Sequence, residues 1–374
     1  MLQYNSLNTQ LSVFQKIKNF DYILLFCILL LGFISVTSMY STDGGEFLFH
    51  SKSHMFKFII FFTMMIILSF VNIKYWHYFA YLFYFVVLLF LIWASIYGVK
   101  ASGSQRWINL YFINLQPSEL MKIGIILCFA RYYNRVQIDK VNSFQSLIVA
   151  LTILILPIML VISQPDLGTS ILIALSGLVV LWLVGLNVKY FLYSFLTLII
   201  SMPFAISFLK PYQKLRILTF LDPDKDPLGA GYQIIQSKIA VGSGGLLGKG
   251  FLKGTQSYLE FLPEKHTDFI FTLFSEEHGF LGSVFLLIIY VIVIYRIINI
   301  GSISRSYFAK LFCYGYGSAI FFYVTVNMSM VLGLLPIVGS PLPIMSYGGS
   351  SMLATMIGFA IVMSAKINHK QLIA

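Results

Sequence analysis

The sequence predicts an all-α, polytopic integral membrane protein with about ten transmembrane helices and one large extracytoplasmic loop. Three observations carry that prediction. Of 374 residues, 58% are hydrophobic and only 10% charged, against roughly 25% charged in a soluble domain, whose surface must face water. Mean hydropathy is +0.85. Long apolar runs, parted by short polar breaks, reach the roughly 17–25 residues that cross the hydrocarbon of a bilayer. Too little charge remains to cover a globular surface, so lipid takes the place of water around the chain. No nucleic-acid partner is expected.

In chain order, residues 1–19 are polar and read as a cytoplasmic tail. The apolar run from Tyr22 lacks a small-residue cleavage site, so it reads as a retained first span rather than a removed signal peptide. Expected spans cover 22–39, 56–71, 76–97, 118–133, 144–163, 167–186, 190–209, 280–297, 308–335 and 349–363. The eighth has a second reading, beginning near Phe269 with "SEEHG" as an interruption. No internal repeat is visible, which argues against the repeat-built transporters. Cys27, Cys128 and Cys313 each fall inside an apolar run and read as packing residues, since their spacing fits neither a metal site nor a disulfide framework. Short segments holding Lys16, Lys18, Arg131, Arg135, Arg305, Lys310, Lys366 and Lys370 alternate with segments holding only Lys52, Lys57, Lys100 and Arg106. That asymmetry puts both termini in the cytoplasm, within one membrane domain spanning 1–374.

Residues 210–279 form the large loop between spans seven and eight, with eight of the chain's 25 basic residues. Loops of that length are uncommon without a function. It opens on the turn chemistry of "LDPDKDPLGAGY". "QIIQSKIAV" follows, a short interfacial helix whose apolar face is expected to hold Ile234, Ile235, Ile239 and Val241. The glycine cluster "GSGGLLGKG" fails the phosphate-loop pattern, because Ser243 stands where its first glycine belongs and Gly250 where its hydroxyl belongs. It reads as a turn between two surface helices.

Four constellations carry candidate chemistry. In "QPSELMK", Glu119 and Lys122 share one face of a helix opened by Pro117 and can pair; they read as lining a polar cavity, with a structural ion pair as the alternative. Asp166 in "QPDLGTS" is either functional or a helix N-cap. "LPIVGSPLPIMSYGGSS" is too broken by proline and glycine for a helix and reads as a re-entrant wall, because irregular backbone at membrane depth must be buried in protein or line a cavity. "YLEFLPEKHTDFIF" gathers Glu260, Glu264, Lys265, His266 and Asp268 where apolar sequence resumes. A carboxylate at such a boundary has its charged form disfavoured, which suits a general base. The alternative is an interfacial cap, with Thr267 or Asp268 starting the helix. No metal ligation by His266 is expected from its neighbours in sequence. Lys214 and Arg216 of "YQKLR" make the loop basic, as an anionic ligand would require.

"QRWINL…QPSELMK", "QPDLGTS", the long stretch from "LDPDKDPLGAGY" to "LEFLPEKHTDFIF" and "GLLPIVGSPLPIMSYGGSS" strongly resemble the shape, elongation, division and sporulation family, nearly end to end. The elongation branch is more similar than the division branch. The resemblance implies a peptidoglycan glycosyltransferase of the bacterial inner membrane. It would polymerise lipid II at the outer face by inversion at the donor sugar, with Asp268 as the catalytic base. It also implies substrate-site roles for Glu119, Lys122, Asp166, Arg216 and Glu260. Lys214, His266, Thr267 and Ser346 are further candidate substrate contacts, Lys214 standing where arginine is usual. His278 and Ser340 replace more typical leucine and valine. The implied partners are a class B penicillin-binding protein transpeptidase and the rod complex. No cofactor is certain; a divalent cation, Mg or Mn, is a candidate on the leaving diphosphate. The competing readings are a lipid II flippase, a non-catalytic scaffold of the wall-synthesis complex, and, more distantly, an O-antigen polymerase or ligase.

Overall fold

The computed structural model describes residues 12–101, 104–109, 114–208, 214, 218–220, 222, 230–255 and 264–373. The helices are α1 (Val13–Lys18), α2 (Tyr22–Thr42), α3 (Phe49–Ser69), α4 (Ile73–Tyr97), α5 (Pro117–Arg135), α6 (Phe144–Ser163), α7 (Leu167–Leu183), α8 (Val188–Phe208), α9 (Ala230–Ser243), α10 (Ile270–Ile303), α11 (Tyr307–Val331) and α12 (Gly349–Ile367). Seven of them, α2, α3, α4, α6, α10, α11 and α12, are long and apolar enough to cross a membrane. α7 and the first part of α8 are shorter apolar helices.

Several helix starts follow from capping residues. Asp21, Asn72, Ser143, Asp166 and Ser306 each accept a backbone N–H of the helix that follows, satisfying a donor that would otherwise be orphaned. Asp21 also pairs with Arg296, tying the start of α2 to α10. α3 begins earlier than its hydropathy suggests, at Phe49. The polar residues of its first turns, Ser51 and His54, are buried on its inner face.

α5 is the centre of the molecule. It packs against α4, α7, α11 and α12, and every residue from Pro117 to Ala130 is buried. A helix enclosed on all sides should be apolar all round, yet this one carries Glu119 and Lys122. By contrast Phe195, Leu196, Ile199 and Ile200 of α8 are exposed, as a lipid-facing surface would be.

The second reading of the eighth span is the observed one. α10 runs on from Ile270 through a kink at Gly279, where φ is 65° and ψ −162°. The kink opens the helical ladder, and the glycine cluster closes it. The amides of Lys249 and Gly250 donate to the carbonyls of Glu276 and Glu277, each at 3.0 Å. The amides of Phe280 and Leu281 donate to the carbonyls of Gly245 and Leu246 at 2.9 and 3.1 Å. Such close backbone pairing leaves no room for side chains: a Cβ on Gly248 would stand 2.0 Å from the Glu277 carbonyl oxygen. The cluster is therefore a docking segment for a kinked helix rather than a free turn.

α9 forms where expected, but on a different face. Ile234, Ser237 and Ala240 are buried against α10 and α11 while Ile239 is exposed. Small residues let the backbones approach closely, and the Ser237 hydroxyl bonds Thr272 Oγ1 and the Val331 carbonyl. A short antiparallel ribbon, unforeseen from the apolar pattern, joins α4 to α5: β1 (Val99–Ala101), β2 (Ser104–Asn109) and β3 (Asn114–Leu115), in that order, with Val99 opposite Trp107 and Ile108 opposite Leu115. The three cysteines are buried and unpaired.

Candidate active site

Residues 264–269 make a tight turn into α10. The amides of Thr267 and Phe269 donate to the Glu264 carbonyl at 3.2 and 3.3 Å, and the Thr267 hydroxyl donates to Glu264 Oε2 at 2.8 Å. Phe269 takes the N-cap position with no side-chain cap bond. The N-cap therefore falls one residue beyond Asp268, and neither Thr267 nor Asp268 occupies that position.

Three successive carbonyls of this turn are held by the C-terminal part of the chain. The Tyr347 amide donates to the carbonyl of His266 at 2.8 Å, the Ser346 hydroxyl to that of Thr267 at 2.6 Å, and Asn327 Nδ2 to that of Asp268 at 2.9 Å. Asn327 Nδ2 also donates to the Ser340 carbonyl at 2.8 Å. The segment between α11 and α12 thus packs as a wall of irregular backbone, with Ile337, Ser340, Leu342, Met345 and Ser346 buried. Side chains satisfy its carbonyls: Tyr290 donates to Pro343 at 2.6 Å, and Ser35 to Ile344 and Met345 at 3.0 Å each. Ile344 is held at φ 67°, a costly conformation for a β-branched residue that persists only where its surroundings over-determine it.

The Asp268 side chain is half-buried. Its Oδ2 lies 3.4 Å from where a Cβ on Gly339 would stand, and Gly339 has φ 67°. The backbone beneath Asp268 is rigid, while the wall facing its carboxylate carries no side chain at that point.

Deeper in the bundle, Lys122 Nζ donates to Glu119 Oε1 at 2.7 Å and lies 3.9 Å from the centre of the Tyr323 ring. Tyr323 donates its hydroxyl to Glu119 Oε2 at 3.1 Å. Both charges are buried and line a cavity of about 20 Å³ with Tyr316 and Thr355, room for roughly one water. Tyr323 and Asn327 sit one turn apart on α11, on one face. That face touches the charge pair with one residue and the Asp268 turn with the other. Neither residue stood out from the sequence, although an asparagine inside the apolar run "YVTVNMSM" was a signal.

Asp166 is buried and fully engaged. It caps α7 through the Thr169 amide at 3.2 Å, pairs with Arg106 at 2.8 Å and accepts from Gln116 Nε2 at 2.9 Å. It fastens the β-ribbon to the bundle, the capping role left open above. Lys214 Nζ donates to the Ser207 carbonyl at 3.1 Å. Arg216 and Glu260 lie outside the described residues.

His266 faces the other way, toward the α2–α3 connection. Its Nδ1 lies 3.0 Å from Thr42 Oγ1, and its ring stacks on that of His50 with centroids 4.0 Å apart. Burial, then the neighbouring His50 and Lys265, push its pKa down to about 4, so the ring is neutral at physiological pH. Among the described residues, Asp43, His50 and His266 are the one group of three or more potential metal donors in mutual reach.

Comparison with known proteins is consistent along the chain. The FtsW, RodA and SpoVE family, described as cell cycle proteins, matches residues 18–371. The peptidoglycan glycosyltransferase MrdB of Escherichia coli K12 is 46% identical over 290 residues, covering 77% of this chain and 78% of MrdB. A chain from a peptidoglycan synthase complex, solved to explain how polymerization and crosslinking are coordinated, superposes with TM-score 0.80 at 28% identity, covering 94% of this chain and 98% of its own length. The crystal structure of RodA from Thermus thermophilus superposes with TM-score 0.71 at 23% identity, covering 94% and 98%, and shows the shared fold. With one family spanning almost every described helix, this chain belongs to the FtsW, RodA and SpoVE family of membrane proteins.

Proposed function

We propose that the protein is a peptidoglycan glycosyltransferase of the RodA type, polymerising lipid II during cell elongation, with Asp268 as general base. One observation carries this reading: the turn bearing Asp268 is held at three consecutive backbone carbonyls, and its carboxylate faces a wall bare of side chains at Gly339. A base must be held still to act, because small misplacements of a catalytic group cost rate steeply.

In the reaction, the 4-hydroxyl of the acceptor's GlcNAc attacks the anomeric carbon of the donor's MurNAc. A carbon–oxygen bond forms on one face as the bond to undecaprenyl diphosphate breaks on the other, turning an α linkage into a β linkage. Asp268 takes the hydroxyl proton. Negative charge grows on the departing diphosphate, and Arg216 and Lys214 are the cations of this chain suited to it. A divalent cation would add charge there, but the one donor cluster among the described residues contains two imidazoles, which suit Mg poorly. Glu119 and Lys122 are a buried dipole behind the site, and His266, Thr267 and Ser346 position Asp268 through their backbone and hydroxyl bonds.

This reading carries the wider arrangement with it: ten spans, both termini in the cytoplasm, and the large loop at the outer face of the inner membrane, where both prenyl tails lie in lipid. A class B penicillin-binding protein that crosslinks the new strands, and the rod complex, are the corresponding partners. The test is polymerisation of lipid II by purified Asp268→Asn protein together with its transpeptidase. Loss of general-base catalysis should lower the rate about 10²–10⁴-fold, with the thermal transition unchanged. Strands formed at the wild-type rate overturn the assignment. A variant that moves labelled lipid II across vesicles but makes no glycosidic bond points to the flippase reading.

A further inference from the structure

We propose that Asp43, His50 and His266 form a binding site for one transition-metal ion of the Zn²⁺ type, clamping the α2–α3 connection to the turn that carries Asp268. The three residues come from places far apart in the chain. Asp43 ends α2, His50 lies in the first turn of α3, and His266 precedes α10. One donor atom from each lies within 4.8 Å of the other two.

The surroundings are those of a ligand set. Asp43 Oδ2 accepts the Ser51 amide at 2.8 Å, which orients the carboxylate, while Oδ1 lies 3.4 Å from His50 Nδ1. The Asp43 side chain is only 3% exposed and that of His50 40% exposed, so a buried carboxylate sits under an imidazole that an ion can reach from solvent. The Thr42 hydroxyl donates to the Met39 carbonyl at 2.7 Å. It can therefore only accept from His266 Nδ1, which fixes the proton there and leaves the lone pair on Nε2. An outer hydrogen bond that sets tautomer and ring orientation is the usual companion of a metal-bound histidine.

Two imidazoles and one carboxylate suit Zn²⁺, Co²⁺ or Ni²⁺ and disfavour Mg²⁺ and Ca²⁺, which prefer all-oxygen shells. With bonds of roughly 2.0–2.1 Å, tetrahedral ligand atoms stand about 3.4 Å apart. Closing the site therefore asks for a shift on the order of 1 Å and a rotation of the exposed His50 ring out of its stack.

The site lies beside the proposed base but does not depend on it, so its failure would leave the reading of Asp268 standing. The experiment uses full-length protein without a histidine tag, stripped with chelator. It is titrated with Zn²⁺ by calorimetry and with Co²⁺ by its visible absorption. One ion per chain is expected, not displaced by equal Mg²⁺, with unchanged affinity in Asp268→Asn. His50→Ala and Asp43→Asn should each weaken binding at least tenfold, and Thr42→Val by about 10–100-fold. Zn²⁺ should raise the thermal transition of wild type and not of His50→Ala. Because His50 is half-exposed, the metal-free variant should unfold at the wild-type temperature. If it does not, His50→Gln carries the same comparison. Absence of saturable binding, or equal affinity in the His50 variants, overturns the site.

Discussion

Glu119 on α5 and Asp268 before α10 are both acids within a greasy fold, and the chain treats them in opposite ways. Glu119 has its charge finished at home: Lys122 three residues on, and Tyr323 across the helix interface, take both carboxylate oxygens. At Asp268 it is the backbone that is finished, with Asn327, Ser346 and Tyr347 fastening the turn, while the side chain faces a glycine. A carboxylate neutralised by a buried cation is held by electrostatics and resists change. One standing on a clamped backbone is held in place through its main chain. Glu119 is buried and Asp268 half-buried; the first is fixed through side-chain bonds, and the turn carrying the second through main-chain bonds.

Breaking the α5 pair should have the larger effect on stability. Lys122→Met strands a buried carboxylate, at a cost of about 3–5 kcal/mol, read as a lower denaturation midpoint in detergent. The double variant Glu119→Gln with Lys122→Met should recover most of that loss, since two neutral groups of similar shape need no counter-charge. If the double variant is as unstable as the single, the pair is not what holds α5. If it is stable but makes no glycan, the charges serve the reaction as well as the fold.

Asn327→Leu comes next. It leaves the Asp268 and Ser340 carbonyls without their donor, a loss of about 1–3 kcal/mol. Polymerisation should fall by up to about a hundredfold, the scale of a base displaced by an ångström. Full activity with reduced stability would mean the clamp supports the wall and not Asp268.

Glu264→Gln sharpens the contrast from inside the turn that carries Asp268. Glu264 is exposed and touches Thr267 at the surface. Stability should change by less than about 0.5 kcal/mol and the polymerisation rate by less than about twofold, because Glu264 braces the turn only at its surface. A large loss there would extend the reactive region beyond Asp268.

Much of this was legible in the residues because it is local. A bilayer demands a minimum run of apolar side chains, so 144–163 was placed to the residue. Asp268 stood out because charge in such company is costly. Yet Glu276 and Glu277, buried beside the α10 kink, read only as an interruption. Their carbonyls take the amides of the glycine cluster, a pairing that no pattern in either segment announces. Ile239 shows the same limit: hydropathy placed it with Ile234 on one apolar face of α9, and packing buries Ile234 while leaving Ile239 exposed.

The sequence by itself determined a membrane-embedded helical chain and singled out Asp268 as a candidate acid, since each follows from interactions within a few residues or with solvent. Tertiary structure alone decided which way each helix faces, that Asn327, Ser346 and Tyr347 converge on one turn, and that Asp43 and His50 meet His266. Those contacts join residues tens to hundreds of positions apart. In lipid, where apolar side chains are equally at home on any face, helix rotation is settled by close packing and by where the few polar groups find partners.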